Sequence, residues 1–226
     1  MFKSIKTGVL AAILMSSAIV AHAQKKITEG VLIYTSQFSP TADQEAAAAM
    51  MPKETKIKFN GNLSNTSFEA GPAVISIFQD FTTLNGLTLI DVPVAQMQFA
   101  VKTDKAIYEK ESADLPKFSE FKATGEKKMI GTYNTEKYTY KDSKGGSHEL
   151  WTTTDLELPA GFFGPEFKDV KGTLVKYNVF LQGSLKATMT LKSVSEDKVG
   201  KLSLDVPKGY EVKTMEELKA MQGGGE

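Results

Sequence analysis

Short runs of alternating apolar and polar residues, each closed by a turn dipeptide, occupy almost the whole chain after Ile27. Successive side chains of an extended strand point to opposite faces, so a period of two sustained over many runs calls for antiparallel strands with one buried face. Asn60-Gly61 separates Thr55–Phe59 from Leu63–Ala70, and Asn85-Gly86 precedes Leu87–Ile90. Gly145-Gly146 joins Lys137–Tyr140 to Leu150–Thr153, and Gln182-Gly183 joins Tyr177–Leu181 to Leu185–Leu191. These dipeptides supply the positive φ that tight hairpins need. Further strands are predicted at Gly30–Ser36, Ala73–Gln79, Met97–Thr103, Glu126–Gly131 and Lys201–Val206. The total is roughly eleven, a mainly β meander large enough to curve.

Two segments have helical signals. Thr41 with Gln44 has capping-box spacing ahead of Glu45–Met51, which Pro52 stops, and Thr214 with Glu217 repeats it ahead of Glu216–Gln222. Lys105–Lys117 is readable as a loop or a short helix and is too short to divide domains. The reading is one domain over 24–222 with a Gly-rich tail at 223–226.

Residues 1–23 stand apart from this pattern. Lys3 and Lys6 precede an apolar run from Val9 to Val20 that ends in Ala21-His22-Ala23, the layout of a cleavable secretory signal. The run is shorter than the ~20 residues of a transmembrane helix. The expectation is an exported protein, periplasmic or secreted, without a transmembrane segment, beginning near Gln24. Loss of the two lysines leaves 25 against 27 acidic residues, a mature charge of about −2. All the basic residues are lysine, so the bidentate guanidinium fork for phosphate is missing, and nucleic acid is not an expected partner. With no cysteine, a hydrophobic core alone must hold the fold, and thiol chemistry, cysteine-ligated metal and a lipidated N-terminal cysteine are excluded.

Chemical signatures are sparse. His148 is the one histidine after the signal, and beside Gly145-Gly146 it reads as a polar hairpin residue. No G-x-S-x-G elbow, phosphate loop or dinucleotide fingerprint follows a strand. Asp155 and Glu157 read as a solvated strand face. No enzyme activity, catalytic residue, metal or cofactor is predicted. The apolar pattern is more informative: Ile75 and Ile77, Leu87 and Leu89, and Met97 and Phe99 put large side chains on one face of their strands, and Trp151 adds an aromatic. Met50 and Met51, ending the first helix, are expected to cap that face as a lid, since methionine adapts to variable contents.

The order of features resembles a known family. A signal precedes a strand ending near Tyr34, a short helix, Met51-Pro52, and a strand reaching Phe59-Asn60-Gly61-Asn62. Then come Ile130-Gly131-Thr132-Tyr133, Glu149-Leu150-Trp151-Thr152-Thr153 and Val206-Pro207-Lys208-Gly209-Tyr210. This pattern resembles exported domain-of-unknown-function proteins of the LolA-like superfamily related to the GLPGLI family. The resemblance implies a half-barrel of about eleven strands with short helices over its concave face, the scaffold that shelters acyl chains in lipoprotein carriers. The chain departs from the carriers in having no arginine to control a lid, and has Asn134-Thr135 where many GLPGLI-type sequences carry a cysteine. The functional expectation is a monomeric, non-enzymatic binding protein for a lipid or other apolar ligand. The alternative is an envelope module with a filled core that binds protein or glycan.

Overall fold

A computed structural model describes residues 24–113, 115–181 and 185–223. The chain is mainly β, with one large, mostly antiparallel sheet that does not close into a barrel and a few short helices. In chain order the elements are β1 (Lys25–Lys26), β2 (Glu29–Ser39), α1 (Glu45–Met50), β3 (Glu54–Asn60), β4 (Leu63–Ala70), β5 (Ala73–Asp80), β6 (Gly86–Val92) and β7 (Met97–Thr103). There follow α2 (Lys105–Glu111), β8 (Phe118–Ile130), β9 (Tyr133–Asp142), β10 (Ser147–Thr153), β11 (Leu156–Glu157), β12 (Thr173–Phe180), β13 (Lys186–Ser195), β14 (Glu211–Val212) and α3 (Met215–Gly223). The large sheet has 12 strands in the order β14-β7-β6-β5-β4-β3-β2-β13-β12-β10-β9-β8, and β1 pairs separately with β11.

Local signals account for most of this order. Asn60 pairs with Leu63, so the two-residue loop is Gly61-Asn62, with Gly61 at φ 60°, the first-position glycine of a tight hairpin. Gly71-Pro72 and Gly131-Thr132 form loops of the same length. Asn85-Gly86 behaves differently from the expectation: the β5–β6 turn spans five residues, Phe81–Asn85, and Gly86 already belongs to β6. Asp80 organises that turn by accepting from the backbone N–H of Thr82 and Thr83 at 2.8 and 3.0 Å. The Gln182-Gly183 turn and the signal segment lie outside the described residues. Lys105–Lys117 begins as a helix, N-capped by Asp104, whose Oδ1 accepts from Ile107 N. The Thr214 capping box forms in both directions: Glu217 N donates to Thr214 Oγ1 and Thr214 N to Glu217 Oε2. Lys201–Val206, expected as a strand, is irregular and lies across the sheet instead of pairing within it.

Register assigns the faces. Tyr34 lies opposite Leu191, Tyr177 opposite Met189 and Tyr138 opposite Leu150, and these residues form the main core on what we term the inner face. A bulge where Trp151 and Thr152 meet Lys176 and Leu174 leaves Val175 as the extra residue, so Leu174 and Val175 are both fully buried. Two covers complete the other end of the sheet. On the inner face, Met215 and Leu218 of α3 pack on Ile90, Phe99 and Val101. On the outer face, Leu204, Val206 and Tyr210 pack on Phe78, Leu87, Leu89 and Ala100. The C-terminal segment therefore wraps around the β7 edge, adding β14 as it passes. The opposite edge, β8, is blunted by register irregularities and by lysines, which discourage pairing with another chain.

Candidate functional site

The principal cover of the inner face is the loop between β11 and β12, residues 158–172. Its neck is closed where Thr173 Oγ1 donates to the Leu156 carbonyl at 3.0 Å. Beyond the neck the sequence Ala160-Gly161-Phe162-Phe163-Gly164 turns back on itself, with both glycines at positive φ, 82° and 81°. A Cβ on Gly161 would approach the Phe81 carbonyl oxygen to 2.9 Å, so the close packing needs glycine there. The rings flanking these glycines enter the core. Phe162 stands edge-on to Phe59 and tilted to Phe81, with centroids 5.3 and 5.4 Å away. Phe163 and Phe167 both meet Tyr177, at 5.9 and 5.6 Å, and Phe167 continues to Phe118 at 5.4 Å.

Clefts lie on both sides of this loop. One, of about 480 Å³, is lined by Phe81, Leu156, Leu158, Phe162, Phe163 and Leu174, among others. The second, of about 750 Å³, lies between the loop and the segment from α2 to β8, and includes Tyr108, Leu115, Phe118, Glu166, Phe167 and Phe180. Leu84, Pro165, Phe167 and Lys168 border both. Each is of the size that small ligands occupy and mixes apolar walls with charged residues, Lys168 on both and Lys105, Glu109, Lys117 and Asp169 on the second. A polar contact spans the second: the Tyr108 hydroxyl donates to Glu166 Oε1 at 3.3 Å. Glu166 is exposed as a residue, yet its carboxyl curls back over Gly164, and the protein around it raises its pKa above the usual carboxylate value. Burial likewise pushes Tyr108 up to about 12.

The residues predicted as an apolar cavity are not brought together. Met50 is 70% exposed, and no residue of α1 is buried, so α1 is not the lid over the core. Its run of alanines gives it little side-chain surface with which to grip the sheet. Met51 is only half-buried. Ile75 and Ile77 share the inner face with Thr88 and Ile90, and Phe99 joins that side under α3. Ile77 remains 38% exposed and Met97 41%. Leu87 and Leu89 pair with Phe78 and Ser76, which puts them on the outer face beneath Leu204, Val206 and Tyr210. Trp151 is also on the outer face, opposite Lys137, with Lys128 Nζ 3.8 Å from its ring centre. Leu150 and Trp151 are adjacent in sequence and both buried, and only the register shows which faces the core. The site-forming rings Phe162, Phe163 and Phe167 were missed because they lie in a loop with no periodicity. The available signal was G-F-F-G itself, three-residue-spaced glycines enclosing two large apolar side chains that a solvated loop has no reason to carry.

The polar candidates have structural partners. His148 Nε2 lies 2.5 Å from Asp142 Oδ2, and Asp142 Oδ1 accepts from the N–H of Lys144 and Gly146, both at 2.8 Å. These bonds, that to His148 foremost, hold the Asp142 carboxyl below its ordinary pKa. His148 thereby fastens the β9–β10 turn, with Tyr140 and Phe180 against its ring. Asp155 Oδ2 accepts from Asn134 N at 2.9 Å, and Glu157 pairs with Lys26 at 3.7 Å. Among the described residues, no group of three or more histidine, cysteine, aspartate or glutamate side chains is placed to hold a metal ion. No helix among them is long and apolar enough to cross a membrane. Comparison with known proteins finds no matching family model and no matching curated protein.

Proposed function

We propose that this is an exported, non-enzymatic binding protein that holds a lipid or other apolar ligand on the inner face of its sheet, at the clefts flanking residues 158–170. The observation that carries the reading is that two adjoining concavities, of about 480 and 750 Å³, are walled by rings of the main core. Burial of an acyl chain there is worth about 25 cal/mol for each Å² of apolar surface removed from water. The likeness to the LolA-like half-barrel supports the same use of the scaffold, with the site moved from α1 to the β11–β12 loop. Export rests on the layout of residues 1–23, and a monomer is proposed.

Native mass spectrometry of the mature protein, beside a fluorescence titration with dansylaminoundecanoic acid, tests this. A co-purified lipid, or saturable binding near one equivalent, is expected. Met50→Glu leaves that binding unchanged, because Met50 is exposed and borders neither cleft. Bare protein without saturable uptake would refute the proposal. That result would favour an envelope interaction module with a filled core, a reading supported by the insertion of Phe162, Phe163 and Phe167 among the core rings.

A further inference from the structure

The loop that separates the two clefts is attached in an unusual way. Its backbone hydrogen bonds are local: Phe162 N to Pro159 O, Gly164 N to Gly161 O, Lys168 N to Pro165 O and Val170 N to Phe167 O. Among the described residues, no backbone bond joins 158–170 to the large sheet. Past its neck at Leu156 and Thr173, the described contacts that hold the loop are packing by Leu158, Val170 and the rings, the Tyr108–Glu166 bond, and a polar contact between the Tyr138 hydroxyl and the Lys171 backbone at its far end. Ring contacts, edge-to-face as several of these are, involve no backbone donor or acceptor, so an alkyl chain replaces them without leaving a buried backbone group unpaired. The loop therefore differs from a strand of the sheet, whose removal would strand a row of N–H and C=O groups.

Taking the apolar-ligand reading as its basis, we propose that residues 158–170 are a displaceable plug: Phe162 and Phe163 occupy the apolar site in the free protein, and an incoming acyl chain takes their place. Withdrawal of the two rings enlarges the first cleft, which they line, and the clefts join only where Pro165 and Phe167, which border both, move with the rest of residues 158–170. Such a plug keeps the empty site from exposing a large apolar surface, and it costs affinity in proportion to the population of the plugged state. The Tyr108–Glu166 bond is the polar catch that opens with it.

Limited chymotrypsin digestion of the wild-type protein, with peptide mapping by mass spectrometry, reads the displacement directly. Saturating dansylaminoundecanoic acid is expected to increase cleavage after Phe162 and Phe163 several-fold, although bound ligands ordinarily protect. The Phe162→Ala/Phe163→Ala variant is expected to bind the probe more tightly, by about tenfold if the plugged state outweighs the open one by that ratio. Binding by the variant alone would overturn the plug, since truncating two buried rings opens an apolar cavity by itself. Saturable binding to wild type with cleavage at these sites unchanged or reduced would overturn the plug and leave the binding function standing, the rings then being fixed walls. Absence of binding by both proteins would overturn plug and binding function together.

Discussion

Tyr34→Phe and Tyr140→Phe are the same chemical change, and the structure predicts opposite signs for them. Tyr34 is fully buried, and its hydroxyl donates to the Leu174 carbonyl at 2.8 Å, reaching across β13 to the bulged part of β12. Removing it loses a net bond of about 1 kcal/mol, and up to about 3 kcal/mol if the carbonyl is left unpaired in the core. The ring stays in place against Tyr177, 5.7 Å away, so almost no cavity forms. A loss of about 1–2 kcal/mol corresponds to roughly 2–8 °C in Tm for a domain of this length. Tyr140 is also buried, but its hydroxyl has no hydrogen-bond partner. Asn178 lies close enough to moderate the effect of burial on its pKa, though not in bonding geometry. Deleting that hydroxyl removes a desolvation penalty, so Tyr140→Phe is expected to be neutral or to stabilise by up to about 1 kcal/mol. Urea denaturation followed by circular dichroism at constant m-value measures both. The reasoning about the core bond fails if Tyr34→Phe costs less than about 0.5 kcal/mol, or if the two variants shift stability in the same direction by equal amounts.

Alkaline pH provides a second test. Burial raises the hydroxyls of Tyr34 and Tyr177 well above the ordinary tyrosine value, and that of Tyr140 to about 12. A folded pKa above the unfolded one means that the neutral hydroxyl contributes stability fully below about pH 10, lost as pH rises toward the folded values. Stability is expected to fall above that point, with part of the tyrosinate absorbance appearing only as the protein unfolds. Smooth titration of all seven tyrosines near their ordinary value, with the fold intact, would contradict this. A third prediction concerns the outer face, where Trp151 is 5% exposed under Lys128. Lys128→Ala is expected to cost about 0.5–1 kcal/mol and to increase iodide quenching of this single tryptophan, and Lys137→Ala to do less, since its ammonium is 5.9 Å from the ring centre. Unchanged quenching in Lys128→Ala would show that the lysine does not shield the ring.

Much of the architecture was readable because it depends on local chemistry. Period-two runs located eleven of the strands, and the box residues Thr214–Glu217 marked a helix start that forms as expected, while Thr41–Gln44 opens on a 3-10 turn, Ala42–Gln44, ahead of α1, which ends at Met50. Turn dipeptides marked where the chain reverses, but not the loop register: Gly61-Asn62, one residue beyond Asn60-Gly61, forms the first hairpin loop. Lys201–Val206 misled because its apolar residues alternate like those of a strand while they serve a strap across the outer face.

Residues 24–223 thus carried in their own order the information for a mainly β chain, since strand periodicity and turn preference act over a few residues. Which face of β6 is covered by what, and which segment packs over the main core, were decided only in three dimensions. Leu87 and Phe99 have similar local surroundings in sequence, yet register sends one to the strap and the other to α3. The candidate site depends on contacts between residues about a hundred positions apart, such as Phe59 with Phe162. Its walls are rings brought together by packing rather than by any motif, and a nonlocal arrangement of that kind leaves no period or spacing to read.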